Sequence, residues 1–144
     1  DATLISPRGS CDKMRHVVDT FKAQNRRELS EVPESTRPWG RYKVLAQGDR
    51  FKVKHIVIWP GKRLSFQYHF HRSEHWVVVR GTALVQLDDE EQLVHEGKSV
   101  FVSKSVHHRL ANPGKVPLEI VEIQSGEYLG EDDIVRIQDD YRRK

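Results

Sequence analysis

Cysteine is nearly absent from this sequence, since Cys11 is the only one among 144 residues. No disulfide can therefore form within the chain, which is typical of proteins that fold in a reducing compartment. Long apolar runs are absent too, because no window approaches the roughly twenty residues that cross a bilayer. We expect a cytoplasmic protein with no membrane partner.

The sequence also has little excess charge of either sign. Its 24 basic and 21 acidic residues leave a formal net charge of +3, and the two signs are intermixed along the chain. Nucleic-acid binding usually needs a clustered basic face, so we expect no nucleic-acid partner. A small anion such as a sugar phosphate needs only two or three well-placed cations, which this chain can supply.

Helical periodicity is confined to the beginning of the chain. Apolar residues recur at helical spacing from Asp12 to about Leu29, which predicts one amphipathic helix of about four turns. The stretch SEVPESTRPWG that follows contains two prolines and several small polar residues. Such a composition is typical of a linker.

From Arg41 onward, short runs rich in valine, isoleucine and aromatic residues alternate with glycine, proline or charged turns. Strands are predicted near 41–47, 51–59, 64–69, 75–80, 82–88, 91–95, 99–102, 107–111 and 117–124. Many short strands without intervening helices are typical of a β-sandwich or small barrel. In the charged tail we expect one helical turn on the outside, with Glu131–Asp133 as a solvated face or cap.

Histidines are concentrated in two short segments, QYHFHRSEHW and SVHHRLANPG. If the first segment is extended, Gln67, His69 and His71 share one face, because alternate strand residues point the same way. Glu74 follows across a short turn and can approach the same point. An amide oxygen, an imidazole and a carboxylate suit a divalent first-row metal ion, and the second segment can supply a fourth ligand.

The two segments resemble the paired motifs of the cupins. GKRLSFQYHFHRSEHWVVVRG keeps every spacing of the first motif, with Gln67 where the first histidine is usual, His69 at the second and Glu74 at the acid. GKSVFVSKSVHHRLAN places His108 at the ligand histidine of the second motif. The resemblance implies that these four residues hold the metal. It leaves out His75, because the cupin spacing selects its neighbour Glu74.

A narrower resemblance covers about 37–137. RPWGRY, GTALVQL and NPGKVPLEIVEIQSGEYLGEDDIVR, with the first motif, resemble the C-terminal half of bacterial bifunctional mannose-1-phosphate guanylyltransferase/mannose-6-phosphate isomerases. That half is the type II phosphomannose isomerase, in which glutamine is usual at the first ligand position. The resemblance implies an all-β fold, a cupin (RmlC-like jelly-roll) β-barrel at 37–144, preceded by one N-terminal α-helix. Residues 1–36 are expected to hold a strand remnant of the other half, the linker helix and the linker.

The resemblance also implies a reaction, the interconversion of mannose 6-phosphate and fructose 6-phosphate through an enediol, which feeds GDP-mannose and polysaccharide synthesis. The implied cofactor is a divalent metal, with zinc expected first and cobalt, manganese, nickel or iron suiting the same ligands. We place His71 ahead of His107 as the proton-transfer base, because His107 and His108 are adjacent in a strand and should face opposite ways. Arg72 is expected to grip the phosphate with its planar guanidinium.

Lys54 joins His71 and Arg72 as an expected catalytic residue. Alternation in FKVKHIVIW puts Lys52 and Lys54 on the face opposite Phe51, which we take to be the cavity face. The remaining cations and the second histidine are expected to bind substrate, and this set consists of Lys52, Arg63, His107 and Arg109.

Two alternatives stay open at this point. In one, the chain is a non-catalytic metal-binding cupin module that serves dimerisation or regulation of a guanylyltransferase half absent from this chain. In the other, it is a different metal cupin, such as a sugar-phosphate epimerase or a dioxygenase. A homodimer is expected, since small cupins often pair through strand exchange or sheet edges.

Overall fold

The computed structural model describes residues 14–24 and 34–142. The chain divides into two compact units, 1–33 and 34–144. The domain boundary that the resemblance implies, between residues 36 and 37, stays a prediction. No helix in the described part of the chain is long and apolar enough to cross a membrane.

The first unit contains the predicted amphipathic helix as α1, Met14–Ala23. Its predicted continuation to about Leu29 and the strand remnant expected before it lie outside the described residues.

Residues 34–142 form eleven strands, which include all nine that the sequence predicts. They are β1 (Glu34–Arg37), β2 (Gly40–Gln47), β3 (Phe51–Ile58), β4 (Phe66–His69), β5 (Arg72–Arg80), β6 (Thr82–Leu87), β7 (Glu90–His95), β8 (Ser99–Val102), β9 (His108–Ala111), β10 (Leu118–Gly126) and β11 (Ile134–Gln138). One six-stranded sheet has the order β1-β2-β3-β10-β5-β8, and a five-stranded sheet has the order β11-β4-β9-β6-β7. The all-β prediction is confirmed.

Apolar residues of both sheets form one core, because alternate residues of each strand point between the sheets. Along β3, β10 and β5 the residues of this inward face change from apolar to charged. In one cross-strand row Ile56 lies opposite Ile120, which neighbours Val78 on β5. Two residues along, the buried Lys54 lies opposite the buried Glu122. The barrel therefore has an apolar end, which holds the sheets together, and a polar end.

Two segments differ from the sequence-based expectations. Glu34–Arg37, expected to be linker, forms the edge strand β1 and pairs with β2. The tail has a short 3-10 turn at Glu131–Asp133 and then strand β11, which pairs with β4, instead of a helical turn on the outside. Asp133 is only 6% exposed. It is buried because it accepts hydrogen bonds from the backbone amides of Phe70 and His71.

Gly126 allows the end of β10 to lie against the start of β5. A Cβ at this position would lie 2.8 Å from Cα of Arg72 and would also overlap the carbonyl oxygen of His71.

We expect Gly126→Ala to lower the free energy of unfolding by about 1–3 kcal/mol, as overpacking does, in a denaturant titration. Ser125→Ala is the matched control, because Ser125 is exposed on the other face. Equal stability of the two variants would show that the strands can separate at no cost.

Candidate metal centre and cavity

A cavity of about 560 Å³ lies at the polar end of the barrel. Ordinary small-molecule sites have volumes of about 300–1,000 Å³. The charged part of its lining consists of four basic residues and three glutamates, Arg37, Lys54, Arg72, Arg136, Glu74, Glu122 and Glu131. The cavity therefore suits a small, polar and charged ligand.

Three buried side chains converge at one edge of this cavity. His69, Glu74 and His108 are each 2% exposed, and one ligand atom from each lies within 4.8 Å of the others. Nε2 of His69 lies 3.0 Å from Oε1 of Glu74, and Nε2 of His108 lies 3.8 Å from Oε2. Glu74 also lines the cavity and so connects the cluster to it. Three of the four expected metal ligands are thus brought together.

The two histidines present the nitrogen that a metal ion requires. Nδ1 of His108 donates to the carbonyl oxygen of Val106 at 2.9 Å, and Nδ1 of His69 donates to that of Asp133 at 3.4 Å. Because a carbonyl oxygen only accepts, the proton lies on Nδ1 and Nε2 keeps a lone pair. Both Nε2 atoms are buried and make no hydrogen bond of regular geometry among the described residues, and that of His69 faces the Glu74 carboxylate at 3.0 Å. Buried orphaned nitrogens beside a carboxylate fit a divalent cation.

Glu74 is fixed by three donors. Arg72 Nε and Gln124 Nε2 donate to Oε1 at 3.2 and 3.1 Å, and Trp76 Nε1 donates to Oε2 at 3.1 Å. Burial alone would raise the pKa of Glu74, but the two histidines and Arg72 lower it well below its usual value. Burial lowers the pKa of His108. A carboxylate with neutral imidazoles is the protonation state that metal binding needs.

Gln67, expected as the first ligand, lines the cavity next to this cluster. It lies on β4 directly opposite His108. Its carbonyl oxygen accepts a hydrogen bond of 2.7 Å from Ser65. A carbonyl oxygen has two lone pairs, so this bond orients the amide and leaves one lone pair for a metal. The role of Gln67 as a ligand stays a prediction.

Lys54 and Arg72, expected to be catalytic, are both buried and both line the cavity. Lys54 Nζ donates to Oε1 of Glu131 at 2.7 Å and lies 3.9 Å from Oε2 of Glu122. Burial opposes the charge of Lys54, but these two carboxylates raise its pKa above the usual value. Arg72 donates through Nη1 to the carbonyl oxygen of Gly130 at 2.9 Å. Both cations are therefore held rigidly at the wall.

His71 does not line the cavity, so its expected orientation is wrong. We expected it on the face of Gln67 and His69, but β4 ends at His69 and the chain bends before β5 begins at Arg72. Strand alternation stops before His71. Its side chain is 59% exposed and contacts Oδ1 of Asp133 through Nδ1 at 2.8 Å. The role of His71 as a base stays a prediction that its position does not support.

The expected substrate-binding set, Lys52, Arg63, His107 and Arg109, does not line the described cavity. Arg63 forms two hydrogen bonds with Asp140, at 2.8 and 3.0 Å. Lys52 donates to the carbonyl oxygen of Leu129 at 3.2 Å. His107 and Arg109 both pack on Phe66, on the outer face of the smaller sheet, since they flank the inward His108. Their contribution to substrate binding stays a prediction.

The cavity residues that the sequence did not indicate are Arg37, Tyr42, Glu122, Gln124, Glu131 and Arg136. Glu122 and Gln124 continue the buried alternation of LEIVEIQ, which is a signal present in the sequence. Burial and the charge of Glu74 raise the pKa of Glu122 to about 8. Arg136 reaches the site because β11 pairs with β4 and places it opposite Gln67. That pairing has no local signature.

Comparison with other sequences gives a family match over most of the chain. Residues 24–139 match the family described as mannose-6-phosphate isomerase, C-terminal. The chain is 51% identical over 143 residues to the alginate biosynthesis protein AlgA of Pseudomonas aeruginosa, covering 99% of this chain and 30% of that protein. It is 46% identical over 143 residues to the mannose-1-phosphate guanylyltransferase of Escherichia coli, with the same coverage of 99% and 30%. The chain thus spans about 30% of the length of these relatives.

Solved structures agree with the fold that the motifs imply. An RmlC-like cupin from Shewanella frigidimarina superimposes with a TM-score of 0.60 at 19% identity, covering 72% of this chain and 89% of that one. At this level of identity the likeness shows the fold alone. The predicted cupin fold is therefore confirmed.

We expect His69→Ala and His108→Ala to remove metal binding. The measurement is the metal content of dialysed protein, together with the metal-dependent rise in unfolding free energy. A single site at about 100 times its Kd stabilises a protein by about 2.7 kcal/mol, and each variant should lose this gain. His69 and His108 are the two histidines of this cluster, and among the described residues no other histidine belongs to it.

His75→Ala is the matched control. His75 lies between Glu74 and Trp76 on β5 but faces the outer side, where its ring contacts Phe101. This variant should keep the metal and the full stabilisation. Unchanged metal content in His69→Ala would exclude the cluster as the binding site.

Proposed function

Because the chain belongs to the mannose-6-phosphate isomerase C-terminal family, we propose that it is a metal-dependent isomerase of the cytoplasm that interconverts mannose 6-phosphate and fructose 6-phosphate. Its product would feed GDP-mannose and polysaccharide synthesis. The observation that carries this proposal is the buried group of His69, Glu74 and His108, whose orphaned Nε2 atoms lie beside a cavity of about 560 Å³.

Gln67, His69, Glu74 and His108 would hold the metal, with zinc expected first. Two neutral imidazoles, one neutral amide and one carboxylate leave a divalent ion with a formal charge near +1. When bound, such an ion stabilises negative charge that develops on a sugar oxygen during enolisation. Cobalt, manganese, nickel and iron suit the same ligands.

The charges of the cavity support an anionic substrate. Four basic residues line it, against three glutamates. Burial and the charge of Glu74 raise the pKa of Glu122 to about 8, so of the three glutamates it is the one whose negative charge is least favoured. Lys54 and Arg72 each form an ion pair with a cavity glutamate, so Arg37 is the better placed cation for the phosphate group. We therefore assign the phosphate to Arg37, and we assign Lys54 and Arg72 to fixing the cavity glutamates.

The second candidate is a non-catalytic metal-binding module. It is favoured by one observation, that the chain spans about 30% of relatives that include a mannose-1-phosphate guanylyltransferase. In this case the metal is structural, and the domain serves dimerisation or regulation of the guanylyltransferase part. Both candidates include a homodimer. Light scattering of the purified chain measures this oligomeric state.

An assay of the purified chain separates the two candidates. The protein is treated with a chelator, and zinc, cobalt, manganese, nickel or iron is then added with mannose 6-phosphate. We expect fructose 6-phosphate to form only after metal is restored, because the vacant cluster lacks the positive charge that enolisation needs. Mannose without phosphate should react at least about 100-fold more slowly in kcat/KM, since binding of the phosphate positions the reacting carbons. A chain that binds metal and sugar phosphate but forms no product with any of these metals would be the module.

A further inference from the structure

We propose that Glu131 is the catalytic residue that takes the proton from the sugar in this reaction, and that Lys54 is its positioning residue. This inference rests on the proposed isomerase function. It assigns a role in the chemistry to a tail segment that the sequence suggested was a solvated surface.

Glu131 has the placement that a general base needs. It begins the 3-10 turn before β11 and lines the cavity. Its side chain is 50% exposed, so a ligand in the cavity can reach it. Oε1 accepts a hydrogen bond of 2.7 Å from the buried Lys54. Because this bond is made by Oε1, Oε2 is the oxygen that we assign to accepting the proton.

The carboxylates of the other two cavity glutamates already accept hydrogen bonds from neighbouring side chains. Glu74 accepts hydrogen bonds from three side chains and belongs to the metal cluster. Glu122 accepts from Trp76 and Gln124 and is 5% exposed. Of the three glutamates that line the cavity, Glu131 is the one whose side chain is half exposed.

The segment that carries Glu131 is fixed relative to the metal cluster. Lys52 donates to the carbonyl oxygen of Leu129, and Arg72 donates to that of Gly130. The same Arg72 guanidinium donates through Nε to Glu74. One rigid side chain thus joins the proposed metal ligand to the residue before the proposed base. A substrate whose oxygens lie at the metal end would meet Glu131 at a defined position, which is the condition for efficient proton transfer.

The proton transfer balances without any further reactant. In the open-chain aldose, Glu131 takes the proton from C2, the C–H electron pair forms the C1–C2 double bond, and the carbonyl pair moves to O1. The protonated Glu131 then returns the proton to C1, and the electron pair of the C1–C2 double bond forms the new C–H bond. The hydroxyl on C2 gives its proton to O1, and its O–H electron pair forms the new carbonyl. The carboxylate ends as it began.

The charges around Glu131 keep it ionised. Burial alone would raise its pKa, but Lys54, Arg72 and Lys52 lower it below the usual value. Glu122 also faces Lys54, at 3.9 Å, and burial raises the pKa of this carboxyl to about 8. An ionised carboxylate with one anchored oxygen is ready to accept a proton at neutral pH.

Glu131→Gln tests the proposal in the metal-loaded chain. We expect kcat to fall about 100-fold or more, because a general base contributes typically 10²–10⁴, while the Kd for mannose 6-phosphate changes less than about 3-fold. Exchange of the C2 proton with solvent deuterium should be lost in parallel, and metal content should not change. Glu127→Gln is the matched control, since Glu127 is an exposed glutamate that pairs with Arg50 on the surface. This control should keep the wild-type kcat.

Lys54→Met and Lys54→Arg test the positioning role. Without the cation, the pKa of Glu131 rises, so the acidic limb of the kcat profile should move to higher pH. Lys54→Arg should return that limb toward its wild-type position. A fall in kcat with an unmoved acidic limb would instead mark Lys54 as a purely structural residue.

Three outcomes would overturn the assignment of Glu131. Wild-type kcat in Glu131→Gln shows that another group takes the proton, while the isomerase function stands. Loss of sugar-phosphate binding with unchanged kcat places Glu131 in binding and not in chemistry. If the wild-type chain binds metal and sugar phosphate but never forms product, the proposed function fails, and the role of Glu131 fails with it.

Discussion

The buried charge of Glu74 is the constraint on which the rest of the polar end depends. A carboxylate that is 2% exposed is costly unless its oxygens are paired and hydrogen-bonded. Arg72, Trp76 and Gln124 all donate to it. Trp76 therefore both fills the core and fixes the carboxylate. These donors would be enough for a structural charge, yet two buried histidine nitrogens also face Glu74 and make no hydrogen bond of regular geometry.

One strand supplies most of this arrangement through simple alternation. On β5, Arg72, Glu74 and Trp76 are buried, whereas Ser73 and His75 are only partly buried, on the other face. A shift of one residue in the register with β10 would exchange the two faces. The apolar row of Ile56, Ile120 and Val78 on the same strands forbids that shift, because it would expose the core. The apolar end of the barrel thus specifies the geometry of the polar end.

What the sequence predicted correctly follows from local spacing. The separation of His69 and Glu74 and the position of His108 come from short motifs, and the structure brings the three together. The orientation of His71 was wrong because alternation applies only within a strand, and β4 ends at His69. Glu131 was assigned to a solvated surface because its acidic surroundings have the composition of one. Its contact with Lys54 joins residues 77 positions apart, and no spacing rule reaches across that distance.

The tail shows that polar contacts between residues far apart in the sequence help to fix the geometry of this site. Asp133 accepts hydrogen bonds from the amides of Phe70 and His71, which fixes the bend between β4 and β5. Its carbonyl oxygen also accepts from Nδ1 of His69 and so sets which nitrogen of that histidine faces Glu74. An acidic residue near the end of the chain therefore determines the tautomer of a proposed metal ligand 64 positions earlier. Because the same 3-10 turn carries Glu131, the tail contacts both the metal end and the proposed base.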